Sequence, residues 1–463
     1  MAGKTYQTSL FIFRRDLRLS DNTGLNAALR ASKQVIACFI FDPRQIEPHP
    51  YQSQPALQFM LEALTDLQQQ FKQNGALLYL FHGQPQQIVE QLNQQHRLEA
   101  VFVNRDYSPF SQQRDSELTA LCHRLAIDFH SHPDALLTEP EQGIRDNGKP
   151  YQVFTAFYNH AKQYPVPAPQ ALANGKLADK PIAGHRPELL AQLKQAHRNP
   201  LPGGVQGAQE RLQLLSNCRD YAKLRDFPAL AATSQLSVYL KFGCCSVREA
   251  YAAIQAQLDP DHPLLRQLYW RDFFTHIAFH FPHVFGRSFD RRLDGLRWRN
   301  GQDDFWAWAN GQTGFPIVDA AMRELNQTGW MHNRLRMVVA SFLVKDLHVS
   351  WRWGERYFAQ RLLDYDPCVN NGNWQWAAST GCDAQPYFRI FNPWLQQEKF
   401  DPQCQYIKTW IPELQRFPAA VIHKWAKQPQ AGAYPKPRVD HAEQSQLIKA
   451  QYQELLARPI QEK

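Results

Sequence analysis

The sequence predicts an α/β N-terminal domain, built on a parallel doubly wound sheet, followed by a large all-α C-terminal domain. Three observations predict this fold class: apolar runs alternate with helical patterns up to about residue 130, a proline-rich stretch follows, and a helical period then continues almost throughout. The chain has 463 residues, enough for about three domains or for two with a substantial connector. We expect the α/β domain over residues 1–132, the connector over 133–205 and the helical domain over 206–463.

Five short apolar runs are the expected strands. They are mainly apolar, as is typical of the strands of a parallel sheet covered on both faces. The runs occupy residues 9–13, 35–41, 76–81, 100–103 and 127–130. Between the second and third runs, residues 54–74 carry leucines at helical spacing, and Gly75 is expected to end that helix.

The connector and the helical half differ in their local signals. Ten prolines between residues 133 and 202, without a sustained period, predict a long connector on the surface. The glycines of GGVQGA at 203–208 follow this loop rather than a strand, so they are not a dinucleotide-binding fingerprint. Beyond them the pattern is helical, as in the segment that begins with Pro316 in a first helical turn and ends at Gly329.

Composition narrows the class of protein. Hydrophobic residues make up 44% and charged residues 20%, which excludes collagenous, low-complexity and wholly disordered chains. The net charge of +8 suits a polyanionic partner such as nucleic acid, although proteins without such a partner show similar excesses. Eight cysteines without a CxxC pair indicate free thiols rather than zinc or a disulfide framework. No apolar run has membrane-spanning length and no signal leader is present, so we expect a cytosolic protein with no membrane partner.

The segment at 233–243 is the first candidate for chemistry. Thr233 or Ser234 can cap a helix that ends at Gly243, so that hydroxyls and free backbone N–H groups converge at a helix N-terminus. Such an end binds phosphate well, and an ordinary helix cap is the alternative interpretation.

The second segment, residues 266–281, mixes aromatic and basic side chains on one predicted helix. Trp270 beside Arg271 suits an unstacked base next to phosphates. Asp272 and His276 are spaced i and i+4, with His280 at i+8, which would allow a metal to bind one helical face. Helix histidines with ordinary partners are commoner, so we predict no metal site.

Two further segments complete the set. In the third, Asn333, Arg336 and Met337 share a helical face, while Arg334 points about 100° away. The fourth, residues 362–393, holds two acids, two adjacent amides and a WQW pair close together in sequence. A hydrophobic core alone does not require this combination.

In this order, behind an α/β domain, these four segments resemble the DNA photolyase and cryptochrome family, and in particular bacterial class I cyclobutane pyrimidine dimer photolyases. The resemblance extends from RRDLRLSDN at 14–22 to FNPWLQ at 391–396, with WMHNRLRM and NNGNWQWAASTGCDAQPYFRIFNP highly specific. It implies a carbon–carbon lyase that uses light to repair these dimers in DNA. The implied step is electron transfer from excited reduced FAD to the flipped-out lesion.

The resemblance implies a U-shaped FAD within the helical domain. Arg336 would pair with Asp364 and contribute a positive field, which favours the anionic reduced flavin. Asn370 would face flavin N5, where plant cryptochromes carry Asp and animal ones Cys, and this argues for repair over signalling. The residues that the resemblance assigns to FAD are Tyr221, Thr233, Ser234, Gln235, Leu236, Ser237, Arg271, Arg336, Asp364, Asp366 and Asn370.

The same resemblance implies a pocket for a dimer in double- or single-stranded DNA. Trp270 and Trp376 would flank the flipped dimer, with Asn333 and Met337 beneath it. Arginines would contact the surrounding phosphates. The residues assigned to substrate and DNA are Arg225, Gln267, Trp270, Asn333, Arg334, Met337, Trp376, Arg389 and Gln396. The arginine-rich stretch 287–299 is either a solvated loop or a further DNA contact.

Three tryptophans match the family's electron-transfer chain, which connects the protein surface to a resting oxidised flavin. They are Trp374, Trp351 and Trp298, and all three motif positions are filled. With Asn370 and Gln267, they form the predicted catalytic set.

Gln267 departs from the pattern, because class I dimer photolyases usually have Glu there and (6-4) photolyases have Gln. An amide can donate one hydrogen bond to a thymine carbonyl but cannot share a proton, so we expect some loss of efficiency. WMHNRLRM lacks the His pair of a (6-4) enzyme, so dimer repair remains the prediction. The alternatives are (6-4) photoproduct repair and a cryptochrome-type blue-light photoreceptor, although a receptor would usually carry a long extension where this chain has only ARPIQEK.

A second, light-harvesting chromophore would belong to the α/β domain. Asp106 stands where deazaflavin-binding relatives have an acid, and Ser108 stands where folate-binding relatives have Glu. An 8-hydroxy-5-deazaflavin is therefore favoured slightly over methenyltetrahydrofolate, with FMN or an empty site left open. We expect a monomer in the bacterial cytosol.

Overall fold

The computed structural model describes residues 5–230, 232–430 and 432–457. Its contacts divide the chain into two compact units. Unit 1 comprises Met1–Tyr151, Thr155–Ser216 and Ser234–Phe279, and unit 2 comprises Gln152–Phe154, Asn217–Thr233 and His280–Lys463. The boundaries expected at residues 132 and 205 stay a prediction, and the tail ARPIQEK lies outside the described residues from position 458 onward.

Unit 1 contains a five-stranded parallel sheet in the order β3-β2-β1-β4-β5. This confirms the predicted doubly wound sheet, since the chain moves outward on one side of β1 and then on the other. The strands are β1 Tyr6–Phe13, β2 Ser32–Phe41, β3 Tyr79–His82, β4 Ala100–Asn104 and β5 Asp128–His132.

The third strand is shorter than its apolar run because the connector takes up the pairing before it. The N–H of Leu77 donates to the carbonyl of Ala178, and Leu177 forms a parallel bridge with Val35 at the start of β2. Part of the proline-rich stretch therefore extends the sheet of unit 1, which two or three residues of extended chain could not reveal in the sequence.

Helices cover the sheet and continue through the rest of the chain. The predicted helix at 54–74 is present as α3, with Ser53 capping its start and Gly75 in the left-handed conformation after its end. The first helices are α1 Thr23–Ala31, α2 Pro43–Ile46, α3 Gln54–Gln73, α4 Pro85–His96, α5 Pro109–Arg124, α6 Phe154–Ala161, α7 Leu189–Gln192, α8 Val205–Gln213, α9 Tyr221–Leu224, α10 Ser237–Phe242, α11 Val247–Gln257 and α12 Leu265–His280.

From residue 302 onward, all helices belong to unit 2. They pack around a cluster of buried aromatic and aliphatic side chains. The helix expected between Pro316 and Gly329 is present, with Pro316 as its first residue and Gly329 as its left-handed cap. These helices are α13 Gln302–Ala309, α14 Pro316–Thr328, α15 Asn333–Lys345, α16 Trp351–Arg361, α17 Pro367–Ala377, α18 Pro393–Phe400, α19 Gln405–Trp410, α20 Ala419–His423 and α21 His441–Leu456.

The described residues, 5–230, 232–430 and 432–457, contain neither a helix suited to span a membrane nor a cluster of metal-binding side chains. No helix in those three ranges is long and apolar enough to cross a membrane. In the same part of the chain, no group of three or more His, Cys, Asp or Glu side chains is arranged to hold a metal ion.

The motif at 14–22 forms a buried ionic cluster inside unit 1. Both Asp134 oxygens accept from Arg18 at 2.8 Å, and Asp134 also accepts from Arg248 at 2.9 Å. Arg248 donates in addition to Asp21 at 2.8 Å. All four side chains are buried, so each charge depends on its partners for stabilisation.

We predict that Asp134→Asn lowers the free energy of unfolding by about 3 to 5 kcal/mol, because it leaves buried guanidinium groups without their shared carboxylate. Burial alone would raise the pKa of Asp134, but Arg18 and Arg248 outweigh it and hold that pKa below its usual value. The stabilisation is therefore present above pH about 4 and disappears as the pH falls through the folded-state pKa. Urea unfolding over a range of pH values measures the loss of stability and its pH dependence. Glu188→Gln is the control, because Glu188 forms an exposed ion pair with Arg186. Equal stability of the two variants would contradict the prediction.

Candidate functional site

A fixed positive charge marks the centre of the candidate site in unit 2. Arg336 on α15 makes a two-pronged ion pair with Asp364, with N···O distances of 3.1 and 3.0 Å. Its Nε donates to the carbonyl of Met331 at 2.8 Å. The carboxylate is buried while the guanidinium is about a quarter exposed. The pair is therefore held rigidly and keeps one accessible face with which to bind a ligand.

The next site residues are placed by the start of α17. Asp366 caps this helix, since its Oδ1 accepts from the backbone N–H groups of Cys368 and Val369 at 2.9 and 3.0 Å. Pro367 is the first helical residue, a position at which its missing N–H costs nothing. Asn370 follows one turn later, so its position on α17 is set by this cap.

The orientation of the Asn370 amide is fixed by a residue that the sequence reasoning missed. Its Nδ2 donates to both the backbone carbonyl and Oε1 of Glu355, each at 3.1 Å. An amide nitrogen has two hydrogens, and both are used here. Oδ1 is then the atom of Asn370 that can accept from a ligand. Nothing in the WRWGERYF pattern separates Glu355 from an ordinary surface glutamate, although it is buried.

The three tryptophans of the predicted electron-transfer chain differ in exposure. Trp374 and Trp351 are 2% and 1% exposed, whereas Trp298 is partly exposed and packs against the same hydrophobic cluster. The Trp374 ring packs against α16 at Gly354, which has no side chain. A β-carbon at that position would overlap the six-membered ring of Trp374. Gly354 is a second positioning residue that the sequence reasoning missed.

The residues expected to contact DNA in unit 2 fall into two groups. Arg334 is already paired, with its Nη2 2.7 Å from Asp226 and its guanidinium over the ring of Phe400. Arg225 and Arg389 have exposed side chains, as a phosphate contact requires. Of the remaining substrate residues, Asn333 is exposed at the first residue of α15, whereas Met337, Trp376 and Gln396 are partly buried. Tyr221, which was assigned to FAD, is buried.

The segment expected to bind phosphate is built differently from the prediction. The helix ends at Gly243 as expected, but it begins at Ser237 with Leu236 as its cap, so the prediction that Thr233 or Ser234 caps it is wrong. The reason is a left-handed residue at Gln235, which turns the chain just before the helix. The side chain of Gln235 accepts from Arg211 within unit 1 at 2.9 Å.

In unit 1, α12 brings together two of the residues expected at the lesion. Gln267 and Trp270 are three residues apart, share a helical face and are partly buried. The Trp270 ring stacks on Phe274 at 5.4 Å, and Arg271 donates to the carbonyl of Ala135. These contacts position the α12 side chains.

The candidate metal ligands on α12 are engaged with backbone groups in unit 1. Oδ2 of Asp272 accepts from the N–H groups of Leu137 and Thr138 at 2.8 and 3.0 Å. Nε2 of His276 lies 3.2 Å from the carbonyl of Tyr151. Burial raises the pKa of Asp272 to about 7. The geometry gives these groups a structural role in holding the start of the connector.

The expected antenna residue, Asp106, lies just beyond the carboxyl end of β4 in an arginine-rich cluster that the sequence reasoning missed. It accepts from Arg15 at 3.1 Å and from the Ser111 hydroxyl at 2.9 Å. Burial would raise the pKa of Asp106, but Arg15, Arg114 and Lys241 outweigh it and hold the carboxylate charged. The carboxyl ends of parallel strands are the usual ligand edge of such a sheet, and the arginines at 14 and 15 directly after β1 could have indicated this.

Comparisons with known proteins agree along nearly the whole chain. A family model described as DNA photolyase matches residues 9–173, and one described as FAD binding domain of DNA photolyase matches residues 264–454. The chain is 39% identical to the deoxyribodipyrimidine photo-lyase of a Synechococcus species, over 97% of either protein. It is 41% identical to an archaeal photolyase from Sulfolobus tokodaii, solved with two FAD molecules, with a TM-score of 0.88 over 97% of this chain and all of the other. A bacterial class III photolyase from Agrobacterium tumefaciens gives a TM-score of 0.90 at 32% identity over 99% of both.

We predict that Gly354→Ala lowers the free energy of unfolding by about 1 to 3 kcal/mol, because the added methyl group displaces the buried Trp374 ring. Urea unfolding measures the loss. Gly295→Ala is the matched control in unit 2, since its new methyl group would meet only the flexible Leu455 side chain, at 3.1 Å. If both variants unfold like the unmodified chain, Gly354 does not determine the position of Trp374.

Proposed function

Because the chain belongs to the DNA photolyase family, we propose that it holds FAD through the residues gathered around Arg336 in unit 2. Its activity is the light-driven repair of cyclobutane pyrimidine dimers in DNA, a carbon–carbon lyase reaction. The single observation that carries the flavin assignment is the Arg336 and Asp364 pair, a rigid charge with one accessible face in unit 2.

Reduced FAD supplies one-electron donation under light, and the chain's own residues keep the cofactor suited to it. The guanidinium of Arg336 favours a negatively charged flavin ring, and Asp364 keeps the guanidinium in place. Oδ1 of Asn370 is an acceptor whose amide cannot turn without breaking two bonds to Glu355. Oδ1 of Asn370 could accept a hydrogen bond from an N–H group, and flavin N5 carries such a hydrogen when the flavin is reduced. These features fit a cofactor kept in its reduced form.

We assign the flavin phosphates and sugar to the remaining residues on the resemblance. Asp366 would contact the adenosine sugar, and Tyr221 would lie near the phosphates together with Thr233. In unit 1, the segment 234–237 and Arg271 keep the same assignment. Support for the segment comes from its fixed backbone, since Gln235 adopts a left-handed conformation and is held by Arg211.

We propose that the dimer is contacted in unit 2 by Asn333, Met337 and Trp376. Asn333 and Met337 lie one helical turn apart on α15, where Asn333 offers an exposed amide and Met337 a partly exposed apolar chain. Exposed Arg225 and Arg389, with Gln396, would contact the backbone phosphates. Arg334 keeps its assignment to a phosphate, which its Nη1 could contact while Nε and Nη2 stay paired with Asp226.

In unit 1, Gln267 and Trp270 keep their assignment to the lesion because they share a face of α12. Trp270 offers an indole ring for stacking, and Gln267 offers an amide for a thymine carbonyl. Trp374, Trp351 and Trp298 remain the proposed chain that delivers electrons to oxidised flavin, which their graded exposure supports.

We propose further that an 8-hydroxy-5-deazaflavin, in preference to methenyltetrahydrofolate, is the second chromophore, contacted by Asp106. Support comes from the ligand edge of the sheet in unit 1, where a charged Asp106 faces several arginines. We also propose that the protein acts as a monomer in the cytosol, on dimers in double- and single-stranded DNA.

Denaturing the purified protein and measuring the absorbance of the released chromophores tests both proposed cofactors together. Absence of released FAD would contradict the proposed function.

We predict that Asn333→Ala weakens binding to dimer-containing DNA by about 1 to 3 kcal/mol, the size of a lost hydrogen bond to a desolvated group. The flavin absorbance should stay unchanged, since Asn333 is not among the assigned flavin residues. Titration of a defined oligonucleotide with and without a dimer measures the effect, and Asn310→Ala, another exposed amide of unit 2, is the control. Unchanged affinity of Asn333→Ala would remove this residue from the pocket.

We predict that Gln267→Glu raises the quantum yield of dimer repair, because a carboxyl group hydrogen-bonds the thymine carbonyl more strongly than an amide and can share its proton. Repair assays on oligonucleotides that carry one defined lesion measure it, with Gln312→Glu in unit 2 as a control for added charge. Turnover of (6-4) photoproducts without turnover of dimers in the unmodified protein would contradict the assignment of the substrate.

A further inference from the structure

A second line of aromatic rings leaves Trp374 within unit 2. The Trp374 ring lies 6.1 Å from that of Trp308, centroid to centroid, at 74°. Trp308 in turn lies 5.8 Å from Phe305, which is 5.3 Å from Trp306. Phe305 also touches Trp353 at 5.3 Å. The line therefore runs from a buried indole to the protein surface along α13.

The buried Trp308 is suited to carry a positive charge briefly. Its indole N–H donates to the carbonyl of Val339 at 3.0 Å, and a hydrogen-bond acceptor stabilises an indole that has lost an electron. A backbone carbonyl is also a weak base, and the ring is fully buried, so the proton cannot leave. Trp308 can therefore pass a charge on but is not the place where it comes to rest.

Trp351, the other proposed acceptor of this charge, has a less favourable environment. Its buried indole N–H has no hydrogen-bond partner among the described residues. The guanidinium of Arg352 lies over its ring at 4.8 Å, which stabilises the neutral ring and repels a positively charged one. Asp294, 2.8 Å from Arg352, offsets part of that repulsion but also pairs with Arg291. Local electrostatics therefore favour charge on Trp308 over Trp351.

Trp306 has the properties expected of the residue on which the positive charge comes to rest. Its side chain is 53% exposed, so an oxidised indole there can release its proton to water. Asp303, three residues earlier on α13, shares its exposed helical face and adds a negative charge. Tyr357 is also close to Trp308, at 5.6 Å between ring centroids, but the oxygens of Asn326 and Ala309 within hydrogen-bond distance of its hydroxyl are weak bases. Tyr357 also has the guanidinium of Arg361 over its ring at 5.3 Å.

We propose that Trp308 and Trp306 form a second electron-donating branch to the flavin, parallel to the one through Trp351 and Trp298. When photoexcited oxidised FAD has taken one electron from Trp374, Trp308 gives an electron to Trp374 and Trp306 gives one to Trp308. The positive charge then lies on Trp306, whose indole proton leaves to water. A thiol in solution returns one electron and one proton. The branch rests on the proposed function, because it needs bound FAD as the electron acceptor.

The experiment follows flavin absorbance in the purified holoenzyme under blue light with a thiol present. Trp298→Phe should keep part of the initial photoreduction rate, and so should Trp306→Phe. The double variant should fall about tenfold or more below either single variant, because parallel routes give non-additive losses. Trp306 is exposed, so its replacement should not disturb folding. Trp394→Phe is the control and should react like the unmodified protein, because Trp394 is a partly buried indole of the same cluster whose ring lies 4.9 Å from that of Phe315.

A second readout does not depend on flavin absorbance. Illumination in air without thiol should oxidise Trp306, and peptide mapping by mass spectrometry should find this product reduced at least severalfold in Trp308→Phe. Trp353→Phe should leave the oxidation of Trp306 unchanged. Oxidation of Trp353 instead of Trp306 in the unmodified protein would identify Trp353 as the exit and overturn the assignment of Trp306.

The outcomes separate this branch from the proposed function. Complete loss of photoreduction in Trp298→Phe alone, or equal rates in Trp298→Phe and the double variant, would overturn the branch while chemically reduced enzyme still repairs dimers. Absence of repair by chemically reduced, unmodified protein would instead contradict the proposed function. In Trp306→Phe, and in the control Trp394→Phe, repair by chemically reduced enzyme should remain at the unmodified level, because electrons then need not enter from the surface.

Discussion

The buried ionic cluster of Arg18, Arg248, Asp21 and Asp134 is the constraint on which unit 1 depends. It joins the loop after β1, the start of the connector and the first turn of α11, which are far apart in sequence. Charges removed from water are stable only with partners at hydrogen-bond distance, so the cluster tolerates few alternative arrangements of these segments. That loop also carries Arg15, which binds Asp106, so the geometry at the ligand edge of the sheet follows from the same cluster.

In the candidate site of unit 2, buried polar groups are likewise stabilised by partners at hydrogen-bond distance. Arg336 and Asp364 satisfy each other, and Glu355 occupies the amide hydrogens of Asn370. What these pairs leave free is specific: one face of a cation and one acceptor oxygen. A site assembled from satisfied groups needs little reorganisation when it binds a cofactor, and its remaining polarity selects the charge and protonation of the ligand.

The sequence predicted what local patterns determine. Apolar runs predicted the first four strands, whereas the edge strand β5 carries Asp128 and His130 and is partly exposed. Glycines in left-handed positions marked the ends of α3, α10 and α14. It failed where a distant residue decides the outcome: Leu177 bridges β2, and a left-handed Gln235 moves the cap of α10. The candidate site residues came from motifs, so partners outside those motifs, such as Glu355 and Asp226, could not be found. Their roles depend on contacts across more than ten residues of chain, which no spacing rule encodes.

The aromatic residues of α13 are another feature whose role the sequence pattern alone does not reveal. FWAW in α13 indicates packing, and Phe305 and Trp308 do pack in the core, yet the helix also presents Trp306 to solvent. An exposed indole gives little stabilisation, because most of its apolar surface remains in water. Its connection through Phe305 and Trp308 to the buried Trp374 gives it a different physical meaning, because neighbouring ring centroids in that line lie 5.3 to 6.1 Å apart. Electron transfer along such a line depends on where a positive charge is most stable. That is decided by the Val339 carbonyl that accepts from Trp308, the Arg352 guanidinium over Trp351 and the exposure of Trp306 to water.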